Sequence, residues 1–202
     1  MSMSWSGCAL SVGLRRPRDV VRPHRQGDST LERAVIIVSG IPGAGKTTVS
    51  RLLARRLDRG VHIESDLLQE MIAAGWPDES TDEWRHQLSL RARNCCLLAD
   101  SFFEAGFTPV VDDVVIGARL DEFTSSIRSR PLLFVLLLPS AEVVRERDAR
   151  RPEKHVFSKW GYLDESARAN TRKVGLWLDS SDLTAEETAD TILQRAWPEA
   201  VI

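Results

Sequence analysis

Residues 40 to 47 read Gly40-Ile41-Pro42-Gly43-Ala44-Gly45-Lys46-Thr47, the spacing Gly-x-x-x-x-Gly-Lys-Thr. Each residue type has a chemical reason to stand where it does. The glycines permit positive φ, so consecutive backbone N–H groups can curl around an anion. Lys46 supplies a point charge for the β- and γ-oxygens of a nucleotide, and the Thr47 hydroxyl is placed to reach Mg²⁺. The bland alternative is a Gly-rich turn that binds nothing. Against it, Val35 to Val38 forms a β-branched run before the loop, and Thr48 to Leu57 has helical periodicity after it, so strand, loop and helix come in the required order. The pattern implies a nucleoside triphosphate held by Gly40, Ile41, Pro42, Gly43, Ala44, Gly45, Lys46, Thr47 and Thr48.

Acidic residues follow the next two apolar runs. In a parallel α/β sheet, ligands lie at the carboxyl ends of the strands, which brings Asp66 and the pair Asp112 and Asp113 towards the phosphates. Phosphoryl transfer needs a group that takes the acceptor's proton, a metal bridging phosphate oxygens, and cations over the developing charge. Asp66 suits the first role; Asp112 or Asp113 suits the second through a Mg²⁺-bound water. The competing readings are Asp66 as a helix N-cap and one of the aspartate pair as a turn residue. His62 reads as structural, since no partner is suggested for it. Four arginines fall within residues 145–151, with Arg147 and Arg151 one helical turn apart. Guanidinium can stack on adenine or grip a phosphate at two points; the alternative is a solvated helix face.

These groups need a scaffold. The chain has 202 residues, 43% of them apolar, and a net charge of −2, which suits one α/β domain with a full core. No apolar stretch approaches the roughly 20 residues that span a bilayer, and the charge balance argues against nucleic acid as a partner. Cys8, Cys95 and Cys96 have neither disulfide-framework nor metal-site spacing, which points to a reducing cytoplasm; the paired cysteines read as core. Residues 1–33, rich in Arg, Pro and Gly without a sustained period, read as a flexible N-terminal extension or the product of an early start codon. Residues 34–202 then form the catalytic domain.

Within that domain, strands and helices alternate. Strands are expected over Val35–Val38, Val61–Glu64, Phe107–Val111, Leu132–Leu138 and Leu176–Asp179. Helices are expected from Thr48, from Asp66, over about 82 to 105, over Arg119–Arg128, after Ser140, near Asp164 and from Thr184 to about Trp197-Pro198. Ser80 with Glu83, and Thr184 with Glu187, stand at capping-box spacing. Trp84, Leu88, Cys95, Leu98 and Phe102 mark the apolar stripe of the long helix. The irregular segment around 152 to 163 has the character of a short lid.

Four blocks, Ser39 to Thr47, Glu64-Ser65-Asp66-Leu67, Val110-Val111-Asp112-Asp113-Val114, and Arg147 with Arg151, give residues 34 to 197 a further meaning. The region resembles the small P-loop kinases related to nucleoside monophosphate kinases, most closely the chloramphenicol phosphotransferase-like branch. The resemblance implies a three-layer P-loop NTPase fold with a five-stranded parallel sheet of order 2-3-1-4-5, helices on both faces and a short lid. It further implies ATP and Mg²⁺, Asp66 as general base, and Arg147 and Arg151 as lid arginines. This chain has Ile-Pro-Gly-Ala where the drug kinase has a serine-bearing loop, and an additional Phe157 to Tyr162. The resemblance therefore specifies ATP-dependent transfer to a hydroxyl of a small molecule, a metabolite or an antibiotic-like compound, and leaves the acceptor and the oligomeric state open. Trp76, Trp84, Trp160 and Tyr162 are candidates to wall the acceptor pocket. The other readings are a polynucleotide 5′-hydroxyl kinase or kinase toxin, which needs a basic groove, and a nucleotide-dependent regulatory ATPase.

Overall fold

The computed structural model describes residues 33–150 and 161–202. Five parallel strands, β1 (Val35–Gly40), β2 (Gly60–Glu64), β3 (Thr108–Asp112), β4 (Leu132–Leu137) and β5 (Leu176–Leu178), form one sheet of order β2-β3-β1-β4-β5. This is the P-loop NTPase order expected above. The inner strands β1, β3 and β4 are buried along their whole length, as parallel strands covered on both faces must be.

The connections explain the layers. The step from β1 to β2 runs one way across the sheet and every later step runs the other, so right-handed crossovers put the first helix opposite the next ones. Helix α1 (Lys46–Arg56) accordingly packs with the last helix, α7 (Ala185–Glu199), whereas α3 (Asp82–Glu104) packs with α2 (Ser65–Glu70) and α4 (Arg119–Ser126). Helices α5 (Ala141–Ala149) and α6 (Leu163–Asn170) connect β4 to β5. After α7 the chain laces onto β4: Phe134 N–H donates to the Ala200 carbonyl at 2.8 Å and Ile202 N–H to that of Leu132 at 3.0 Å. No helix among the described residues is long and apolar enough to cross a membrane.

Several expectations need correction. Helix α3 is capped by Thr81, whose hydroxyl accepts from Trp84 N–H at 3.4 Å, and not by Ser80. The Asp78 carboxylate has taken Ser80, accepting from its N–H at 2.8 Å and its hydroxyl at 2.6 Å. The buried side of α3 runs through Ala92, Cys95, Cys96 and Ala99, with Leu98 exposed; small residues let this long helix lie close on the sheet. Helix α4 stops at Ser126, short of Arg128, whereas the last helix ends at Glu199, close to the expected Trp197-Pro198. Thr184 and Glu187 do form a capping box. Both helix cysteines are buried, and burial first of all pushes the Cys96 thiol up to about 12 and raises that of Cys95, so neither is a thiolate at neutral pH.

Asp100, on the same helix, is a structural clasp. Its carboxylate accepts from the backbone N–H groups of Arg128 and Ser129 at 3.1 and 2.9 Å, and from Arg128 Nε at 3.3 Å. Burial opposes the charge, but the donors of Ser129 and Arg128 outweigh it and hold the carboxyl below the usual range. We expect Asp100→Asn to destabilise the fold by about 1–3 kcal/mol, because an amide turns N–H groups towards N–H groups; chemical denaturation measures it. Because the folded pKa is depressed, Asp100's contribution is complete above the unfolded value of about 3.9 and declines as pH falls through the lower folded value. The stability gap between parent and variant should therefore close in acid.

Candidate active site

The loop from Gly40 to Gly45 leaves the carboxyl end of β1 and turns directly into α1. Gly43 and Gly45 have φ of +92° and +94°, and a Cβ on Gly43 would stand 2.7 Å from Val144 Cγ1. Only glycine fits both positions. Ile41 and Ala44 anchor the loop in the core, while Lys46 and Thr47 stay partly open at its rim. Lys46 Nζ donates to the Ile41 carbonyl at 3.1 Å. Burial lowers the pKa of its ammonium, against the opposing pull of Asp112, Asp113 and Asp66. A positive charge is thus stored where α1 also directs its N-terminal N–H groups, a ready anion site.

Asp66, Asp112 and Asp113 meet this loop in one cavity of about 540 Å³. Glu64, not Asp66, occupies the N-cap position of α2, and no side chain caps that helix. Asp66 lies in its first turn, more than half exposed, with Oδ1 3.3 Å from Arg91 Nη1. Arg91 Nη2 continues to Asp113 Oδ1 at 2.6 Å. Asp113 also accepts from Val114 N–H at 2.7 Å and has Arg119 Nη2 at 3.6 Å, so it is a buried carboxylate held between two guanidinium groups. Asp112 is different. It is as buried as Asp113, at 2% exposed, and the Oδ2 of each makes no hydrogen bond, but among the described residues no arginine pairs with Asp112.

His62, read as structural, has its Nε2 3.6 Å from Asp112 Oδ2, too long for a hydrogen bond, and both atoms are buried without one. His62 pairs in register with Val110, and Asp112 is the next residue on that face of β3. Arg147 reaches away from the aspartates. Its Nη2 donates to the carbonyls of Ser180 and Leu183 at 2.9 and 3.3 Å, and its Nη1 is 3.9 Å from the place of a Cβ on Gly45. Arg151, Trp160 and most of the expected lid lie outside the described residues. Helix α5 ends at Ala149, two residues before Arg151.

Trp76 and Trp84 line the cavity with ring centroids 6.3 Å apart, whereas Tyr162 is exposed and off its wall. Arg91, Arg119 and Gln69 also line it and were missed. Arg91 had left a trace in the sequence: it is a charge between Leu88 and Cys95, inside an apolar stripe of α3. Arg119 and Gln69 left none. Among the described residues, no cluster of three or more His, Cys, Asp or Glu side chains forms a metal cage. The set here is a hydroxyl, a buried carboxylate and a lysine at a phosphate loop, which suits a metal carried chiefly by phosphate and water oxygens.

Comparison with known proteins agrees with this architecture. The AAA_33 family, described as an AAA domain, matches residues 35–174. No curated protein matches. Among solved structures, a sugar kinase from Janibacter sp. HTCC2649 superposes with a TM-score of 0.58 at 21% identity, covering 80% of this chain and 93% of its own. Shikimate kinase from Acinetobacter baumannii, in complex with shikimate, gives 0.55 at 23%, covering 81% and 92%. The APS kinase CysC of Mycobacterium tuberculosis, in complex with AMPPNP and APS, gives 0.57 at 16%, covering 80% and 96%.

Proposed function

The chain belongs to the AAA domain family AAA_33, and on that premise we propose that it is an ATP-dependent phosphotransferase that moves the γ-phosphoryl group to a hydroxyl of a small molecule. The observation that carries the reading is one cleft shared by the phosphate loop with Lys46, an open carboxylate at Asp66 and an aromatic wall at Trp76 and Trp84. A loop that served only as a switch has no need of a second compartment with its own carboxylate. The sequence resemblance to the chloramphenicol phosphotransferase-like branch points the same way.

In this reading the backbone from Gly40 to Thr48 cradles the phosphates and Lys46 offsets the charge that develops on the transferring group. Asp66 orients the acceptor hydroxyl and takes its proton. Arg91 steadies Asp66 from Asp113 and keeps that second carboxylate out of the reaction. The residues fit Mg²⁺: Thr47 offers a hydroxyl, and Asp112, whose carboxylate is not engaged by Arg91 and Arg119 as that of Asp113 is, is the better candidate of the aspartate pair to hold a metal-bound water. When bound, Mg²⁺ supplies neutralisation of the β- and γ-phosphate charge. Arg147, braced beside Gly45, serves the nucleotide side; Arg151 and the lid stand on the sequence alone.

The test is a screen of hydroxylated metabolites and drugs for ADP release in the presence of ATP and Mg²⁺, with mass spectrometry of the products. One or more acceptors should stimulate ADP release and gain one phosphate. Nucleotide turnover of equal rate with and without every acceptor, and no phosphorylated product, would replace the kinase with a regulatory ATPase.

A further inference from the structure

Beyond Asp66 the cavity continues between the end of α2, the start of α3 and the segment joining them. Its lining there is Gln69, Glu70, Trp76, Glu79, Trp84 and Leu88, with no Lys or Arg among them. Among the described residues, the cations that line the cavity, Lys46, Arg91 and Arg119, all stand on the phosphate side, the two arginines engaged by aspartates. Charge is therefore segregated along the cleft.

A chain of side-chain amides adds an independent sign. Gln87 Nε2 donates to the Gly75 carbonyl at 2.7 Å, an atom that can only accept, so the Gln87 amide is fixed with Oε1 towards Gln69. Gln69 must then present Nε2, which donates to Gln87 Oε1 at 3.2 Å. The other end of the Gln69 amide, its Oε1, has no hydrogen-bond partner, although the residue is only 5% exposed and lines the cavity. A buried acceptor left in this state asks for a donor. The Trp76 indole is fixed as well, with Nε1 donating to the Ile72 carbonyl at 2.8 Å. A pinned indole, a second tryptophan beside it, carboxylates and an unmatched amide oxygen form a surface for a ligand group that is positively charged and rich in N–H donors.

We propose that the acceptor is an amino alcohol: its ammonium group seats against Trp76 and Trp84 with Glu70, Glu79 and Gln69 Oε1 as acceptors, and its hydroxyl faces Asp66. This deepens the phosphotransferase reading and rests on it for the role of the hydroxyl. An anionic acceptor would meet carboxylates at this end, and one without N–H or O–H donors would leave Gln69 Oε1 without its complement.

Equilibrium binding to the full-length protein, by calorimetry and tryptophan quenching with ADP and Mg²⁺ present, separates the two claims. The probes are matched pairs: glucosamine against glucose, ethanolamine against ethylene glycol, and kanamycin against its fully N-acetylated form, with gluconate as the anionic arm. At least one amine should bind about tenfold or more tightly than its neutral partner. That preference should shrink several-fold in Glu70→Gln and in Gln69→Leu, and fall with added salt. Quenching by the amine should be lost in Trp76→Phe/Trp84→Phe. Equal affinity within all three pairs, or tighter binding of gluconate, overturns the proposal. Amine-selective binding with no phosphate transferred from ATP to any probe would instead strike at the kinase reading and leave the cation site standing. Transfer to neutral or acidic alcohols without amine preference would do the reverse.

Discussion

Lys46→Ala leaves a folded protein that no longer transfers phosphate. The ammonium is held in a partly buried position where burial lowers its pKa, so its removal relieves a desolvated charge and leaves the apolar core untouched. The melting temperature should match or slightly exceed that of the parent. The effect on the transition state runs the other way, because charge gathers on the transferring oxygens and Lys46 is the cation at the head of the loop. Loss of such a group costs about 10²–10³-fold in kcat or more. Single-turnover phosphoryl transfer, with circular dichroism melts alongside, measures both. A folded variant with near-parental turnover would remove the phosphate loop from the mechanism.

Asp66→Asn should lower kcat by about 10²–10⁴-fold, the usual worth of positioned general-base assistance, while ATP affinity changes little. The structure makes this substitution cleaner than a helix-capping residue would allow. Asp66 is not the N-cap of α2, and its side chain is largely exposed, so its 3.3 Å approach to Arg91 is screened by solvent on the carboxylate side and is of small energetic worth. A large rate loss with unchanged melting assigns the residue to chemistry. A lower melting temperature with an unchanged rate would assign it to the fold and require another base.

The succession of strands and helices along the chain was legible because each of its causes is local: β-branched runs, a glycine loop between strand and helix, and apolar helical stripes; the order of strands across the sheet came from the family resemblance. Helix boundaries were less so where two side chains compete for one role, as when Asp78 captured Ser80 and left Thr81 to cap α3. The site divides in the same way. Gly40 to Thr47 can be read from consecutive letters, since their chemistry depends on spacing along the chain. The proximity of His62 to Asp112 depends on the register of β2 against β3, and the pairing of Arg91 with Asp66 and Asp113 on how α3 lies across the sheet. Neither distance is written in any contiguous pattern. Gln69 was invisible for a further reason: its meaning comes from an amide orientation imposed by Gln87 and the Gly75 carbonyl.

The two ends of the cleft rest on ground of very different tolerance to change. At the phosphate end, β1 is buried throughout, a side chain at Gly43 would collide with Val144, and Ile41 and Ala44 are part of the core. A substitution at any of these buried positions disturbs folding as well as chemistry, unlike one at the rim residue Lys46. The stretch from α2 to the start of α3 carries exposed Leu67, Met71 and Trp76, and its neighbours are mostly solvent. Substitutions there cost the fold little. On the proposed phosphotransferase reading, descendants of such a chain can drift to new acceptors while keeping the same phosphate donor, and a library confined to residues 67–84 is the place to redirect it.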